Sequence, residues 1–133
     1  MAAQLVGTWK LNRSENFDEF LKEMGVNFMI RKMASTMSPT LVIEYDGTTF
    51  TVTNQAMKTS VVTFKLGEEF QFEDPSGGKM KATASMDGDA LVVEQDNLDT
   101  NKHVQVRREI KDGELVQTMD TGNLKCLRIY KKQ

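Results

Sequence analysis

The chain has 133 residues, a formal net charge of −2, 27% charged and 39% hydrophobic residues. That is the balance of an ordinary globular protein, and the length suggests one domain over 1–133. Lys and Arg never run longer than two, which argues against a nucleic-acid partner; no stretch of 18 or more apolar residues offers a membrane span; one His and one Cys allow neither an internal disulfide nor a closed zinc site.

A lone Cys suits a reducing compartment. The opening MAAQLVGTWK lacks a positive stretch before an apolar run, so no secretory signal is expected and the cytosol is favoured. Leu5 to Leu11 reads as a first strand holding Gly7 and Trp9. From Ser14 the period changes: Phe17, Phe20, Leu21 and Met24 follow helical spacing, with Ser14 or Asn16 as cap and Gly25 as stop. A second helix runs from about Asn27, its N-cap, to Ser35, carrying Phe28, Ile30, Met33, Ala34 and Met37 before Pro39 forces an extended step. The two helices form a small hairpin at Gly25.

Beyond Pro39 the pattern is strands and tight turns. Thr40–Tyr45 meets Thr48–Thr53 across Asp46-Gly47, a strong hairpin signal. Thr59–Leu66, Glu69–Glu73, Lys79–Met86, Ala90–Gln95, Lys102–Ile110, Glu114–Asp120 and Leu124–Lys131 follow, separated mostly by Gly-containing turns such as Asp87-Gly88 and Asp112-Gly113. No helix intervenes, so parallel crossovers are absent. An antiparallel meander of ten strands is the economical reading, and closing it into an up-and-down barrel removes its exposed edges. Gly77-Gly78 is a turn and not a phosphate loop, since no helix follows it; no cofactor is expected.

Two strands carry an anomaly. Val104, Val106, Arg108 and Ile110 share one face of their strand; Leu124, Cys126, Arg128 and Tyr130 share one face of theirs. If these faces point inward, two guanidiniums that cannot shed their protons lie inside. An unpaired enclosed charge costs several kcal/mol, and no acid shares these faces. An anionic guest is the natural partner; a planar fork suits a carboxylate, and the Tyr130 hydroxyl adds a donor. Inverted faces, or acids from other strands, are the alternatives. Gln117 is a further inward polar candidate. Together these residues suit a container for a polar-headed ligand rather than a packed core.

The residues also resemble the intracellular lipid-binding proteins, which include fatty-acid-binding and cellular retinoid-binding proteins. The resemblance rests on Gly7-Thr-Trp-Lys-Leu, Ser14-Glu-Asn-Phe-Asp-Glu-Phe-Leu21, Gly25-Val26, Arg31-Lys32 through Pro39-Thr40, Phe64-Lys-Leu-Gly-Glu-Glu-Phe70, Val106-Arg-Arg-Glu-Ile110 with Asp112-Gly113, and Cys126-Leu-Arg-Ile-Tyr130. It implies an all-β, ten-stranded, lipocalin-like (calycin) barrel with a helix-turn-helix lid and a water-containing cavity. Arg108, Arg128 and Tyr130 would hold a ligand carboxylate. Phe17, Phe20, Met33, Pro39, Met57, Gln117 and Cys126 are the implied cavity or portal positions. Retinol-type relatives carry Gln at the two Arg positions, so an acid is favoured over an alcohol. The implied function is non-enzymatic binding and transport of long-chain fatty acids by a monomer. Retinoic acid is the alternative ligand; a barrel acting mainly as a protein-interaction module is the alternative function.

Departures from the pattern are local. Met57 stands where many fatty-acid binders have a portal Phe, Ser76 and Gly78 where many have Asp and Arg, and Gln117 where an aliphatic residue is usual. Lys22, Arg31 and Lys32 match a basic trio that serves nuclear import or transient membrane contact in some relatives; a solvated face near Asp18, Glu19 and Glu23 is the plainer reading. His103 and Cys126 lack a third orienting group, so a thiol enzyme is not expected.

Overall fold

The structure is a computed structural model describing residues 2–56, 58–74 and 76–133. Ten strands and two helices follow one another in the order β1 (Gly7–Glu15), α1 (Phe17–Glu23), α2 (Phe28–Ser35), β2 (Thr40–Tyr45), β3 (Thr49–Gln55), β4 (Thr59–Lys65), β5 (Phe70–Glu73), β6 (Lys79–Asp87), β7 (Ala90–Asn97), β8 (His103–Lys111), β9 (Glu114–Asp120) and β10 (Lys125–Lys132). They form one antiparallel sheet in the order β4-β3-β2-β1-β10-β9-β8-β7-β6-β5, curled into a nearly closed barrel. The β1–β10 pairing joins the two ends of the chain. No helix among the described residues is long and apolar enough to cross a membrane.

The turns show why this meander forms. At Asp46-Gly47 the Asp46 carboxylate accepts from the Thr48 and Thr49 amides at 3.0 and 2.8 Å, while Gly47 takes φ +104°, a value open to glycine and few others.

Two expectations are corrected. The first strand is Gly7–Glu15 rather than Leu5–Leu11, and a 3-10 turn, Ala2–Leu5, precedes it. Leu5 is fully buried and its carbonyl accepts the buried Trp9 Nε1–H at 3.0 Å, so Leu5 plugs one end of the barrel. The strand continues to Glu15 because Arg13, Ser14 and Glu15 pair with Ile129, Arg128 and Leu127 of β10. Asn16 precedes α1 but its side chain caps nothing. It sits at φ +61°, and its Nδ2 donates to the Lys125 carbonyl at 3.1 Å. Asn27 does cap α2, accepting from the Ile30 amide at 2.9 Å.

Closure is also incomplete: β4 and β5 are neighbours without ladder hydrogen bonds. Lys58 pairs with Glu73 at 2.8 Å and Ser60 Oγ donates to the Glu73 carbonyl at 3.2 Å across the seam. Inside, the rings of Tyr45, Phe50, Phe64, Phe70 and Phe72 stack in series with centroids 4.3–5.7 Å apart. The Phe64–Phe70 pair of this stack, with centroids 4.7 Å apart, crosses the seam between β4 and the four-residue β5.

Trp9→Phe removes the donor to the Leu5 carbonyl and leaves a buried acceptor unpaired. It is expected to destabilise the protein by about 1–3 kcal/mol, read as a lower midpoint in urea denaturation.

Candidate functional site

The barrel encloses a cavity of about 200 Å³, room for several water molecules at roughly 30 Å³ each. It is a container rather than a packed core. Val52, Val62, Phe64, Met80, Val93 and Val104 supply apolar wall; Arg108, Gln117, Arg128 and Tyr130 supply a polar patch.

The patch is a row across three strands. Arg108 on β8 lies opposite Gln117 on β9, which lies opposite Arg128 on β10. Cross-strand partners share a face, so the register that turns Val104 and Val106 inward turns these three inward with them. Gln117 separates two like charges. Its Oε1 accepts from Arg108 Nε at 2.9 Å, and its Nε2 donates to the Met119 sulfur at 3.6 Å. Gln117, Arg128 and Tyr130 are buried. Arg108 keeps some accessible surface, but the cavity provides it. Burial pulls the Arg108 guanidinium below its usual range, with nearby Tyr130 acting weakly the other way. It stays a cation, since no plausible shift reaches neutrality for Arg.

Arg128 is held differently. Its Cζ lies 3.6 Å from the centre of the Phe17 ring, over the face. Ser14 is the cross-strand partner of Arg128; two residues later Asn16 turns the chain through the left-handed region and returns Phe17 over the guanidinium. The far end of α1 is also tied. Thr121 Oγ1 and Asn123 Nδ2 donate to the Glu23 carboxylate at 2.6 and 3.1 Å, and Lys102 Nζ donates to the Glu23 carbonyl. Among the described residues neither Arg108 nor Arg128 has a carboxylate partner.

Of the other expected positions, Phe17, Phe20 and Pro39 line the cavity. Met57 lies outside the described residues. Met33 does not line the cavity and is 52% exposed, although helical spacing puts it near the stripe of Ile30 and Ala34, which line the cavity together with Met37 beyond the end of α2. Cys126 shares the inward face of β10 but is sealed within the core, fully buried, and is not part of the cavity wall. Sequence reasoning did not single out Asn54 and Gln95, which also line the cavity; both are uncharged amides and carry no signal of their own.

The basic trio is not three free cations. Arg31 Nε donates to Asp18 Oδ1 at 3.1 Å and Nη1 to the Val26 carbonyl at 2.9 Å; Lys22 and Lys32 are exposed. Nor do His103 and Cys126 form a catalytic pair. Burial pushes the Cys126 thiol up to about 11, far from a reactive thiolate. His103 is exposed on the outside, its Nδ1 at 2.9 Å from Asp96 Oδ1 and its Nε2 at 2.8 Å from Glu94 Oε1. Ionised carboxylates only accept, so satisfying both contacts requires imidazolium.

Two outcomes follow from this geometry. Because Arg108 faces the cavity and, among the described residues, has Gln117 as its hydrogen-bond partner, Arg108→Gln is expected to leave the urea midpoint of the ligand-free protein unchanged or raised; a loss above about 1 kcal/mol would reveal a further protein partner. The hydrogen bond to Asp96, helped by Glu94, holds the His103 pKa above its ordinary value. A folded value above the unfolded one makes the contribution complete below about pH 6.5 and lost as pH rises through the folded value. The midpoint difference between wild type and His103→Gln, followed upward from about pH 6, is expected to shrink; a constant difference would exclude the imidazolium clasp.

Comparisons with known proteins agree with this architecture. The profile of the lipocalin / cytosolic fatty-acid binding protein family matches residues 6–133. A fatty acid-binding protein of Tyrophagus putrescentiae is 39% identical over 131 residues, covering 98% of each chain. Sodium/calcium exchanger regulatory protein 1 of Doryteuthis pealeii is 37% identical over 133 residues, covering 99% of this chain and 98% of that protein. Among solved structures, the Schistosoma mansoni fatty acid binding protein in complex with arachidonic acid superposes with a TM-score of 0.92 at 28% identity, covering 99% of this chain and 98% of the other. The chain belongs to the lipocalin / cytosolic fatty-acid binding protein family.

Proposed function

We propose that this protein is a non-enzymatic carrier of long-chain fatty acids in the cytoplasm, with the ligand carboxylate held by Arg108, Arg128 and Tyr130. One observation carries the reading: two guanidiniums face an apolar-walled cavity, and among the described residues neither has a carboxylate partner. A carboxylate supplies the missing charge, and each charge-assisted hydrogen bond is worth about 1.5–3 kcal/mol. The tail buries apolar area against the valine and phenylalanine walls at about 25 cal/mol per Å². The arachidonic acid complex of the Schistosoma mansoni relative supports the same ligand class. The lid adds a surface for transient membrane contact, since Phe28, Met29 and Met33 are 65%, 72% and 52% exposed beside Lys32.

A second reading draws on the likeness to the exchanger regulatory protein of Doryteuthis pealeii: a barrel that acts by contacting another protein. Ligand titration separates the two. A carrier takes up one equivalent of oleate or retinoic acid, and comparing the two acids names the class; a pure interaction module takes up neither.

Arg128→Gln is expected to weaken oleate binding by roughly 10- to 100-fold, the loss of one charge-assisted contact, without lowering the unfolding midpoint. Isothermal titration checks it, and unchanged affinity would remove Arg128 from the head-group site.

A further inference from the structure

The two arginines of the polar row are held in different ways, and the difference assigns a role to Phe17. Arg108 gives one of its in-plane donors, Nε–H, to Gln117. Arg128 gives none to Phe17: the contact is ring face against guanidinium, 3.6 Å from Cζ to the centroid. A guanidinium carries its donors in its plane and has no hydrogen-bonding capacity on its faces. A ring on the face therefore takes nothing that a carboxylate needs. It supplies attraction from the aromatic quadrupole, strongest where water is excluded, and Arg128 is only 6% exposed.

We infer that Phe17 is a positioning residue for anion recognition: its ring backs the Arg128 plane and presents the N–H edges to the ligand head group. The inference rests on the carboxylate reading above. The backstop is rigid because the chain fixes it from both sides. Ser14 pairs with Arg128 itself, the Asn16 amide clips the start of α1 to the Lys125 carbonyl, and Glu23 fastens its end to Thr121 and Asn123. Without the ring, a long side chain with about 2 kcal/mol of rotamer entropy is released into the cavity and must be reordered each time an anion binds. Phe17 thereby raises affinity for a charged head group and does nothing comparable for a neutral one.

The test compares a long-chain fatty acid with the alcohol of the same chain length, titrated against wild type, Phe17→Leu, Phe17→Met and Phe17→Tyr, each checked for folding by its urea midpoint. Leu and Met keep apolar bulk without an aromatic face; Tyr keeps the face. Acid affinity is expected to fall roughly tenfold in the Leu and Met variants while alcohol affinity moves by less than about twofold, with Tyr holding wild-type acid affinity. Two variants lacking the ring face guard against one failing to fold. An equal fall for acid and alcohol would reduce Phe17 to cavity packing, and unchanged acid affinity would remove its role altogether; either overturns the inference. A wild type that prefers acid, with variants that keep the same preference, overturns the Phe17 role alone. A wild type that binds acid and alcohol equally overturns the carboxylate reading together with it.

Discussion

A guanidinium inside a barrel has no protonation route to neutrality, and the polar side of this cavity is arranged around that constraint. Arg108 and Arg128 are spaced apart in a row in which Gln117 stands between them. Each is held by a neutral partner: Arg108 by the Gln117 carbonyl oxygen, Arg128 by the Phe17 ring. Neutral partners satisfy geometry without cancelling charge. An acidic partner would have stabilised the empty protein and removed the reason for an anion to bind. The price is an interior charge in the empty state, offset in part by water-sized space beside it.

The rest of the architecture divides into parts that hold this row still and parts free to move. β8, β9 and β10 form continuous ladders beneath it, and α1 is tied to β10 and the β9–β10 turn at both ends. α2 has no buried residue and follows Gly25 at φ +86°, so its docking to α1 depends on contacts such as Arg31 with Asp18. Few buried contacts mean a low free energy of local opening. The β4–β5 seam is a second weak line, joined by the Phe64–Phe70 stack, the Lys58–Glu73 ion pair and the Ser60 hydrogen bond to the Glu73 carbonyl rather than by a ladder.

Particular residues show what could be read in advance. Strict alternation in Val104–Ile110 and Leu124–Tyr130 groups Arg108, Arg128 and Tyr130 with the apolar faces of their strands, because a strand's side-chain period is two whatever surrounds it; the barrel turns those faces inward. The Asp46-Gly47 turn and the Asn27 cap were equally legible, both being short-range hydrogen-bond chemistry. Leu5 was read as strand and is a plug. Asn16, a cap candidate alongside Ser14, clips β10 instead. Met33 and Cys126 were read as cavity or portal positions and lie outside the wall. The Leu5 turn is closed locally by the Trp9 indole, whereas Asn16 is claimed by the Lys125 carbonyl, distant in the chain.

Strand periodicity, the turns, the number of strands and the grouping of each arginine with the apolar face of its strand are legible in the chain alone, since all follow from backbone geometry and local hydrogen bonding; which way those faces point is not. Tertiary structure decided what those cations touch. Register set Gln117 between them, and the reversal at Asn16 laid Phe17 across Arg128, a contact spanning the two ends of the chain. It also decided that the sheet would stop short of closing at β4 and β5, because a four-residue strand and a run of stacked rings could fill the gap with side chains where no local pattern announces a missing ladder.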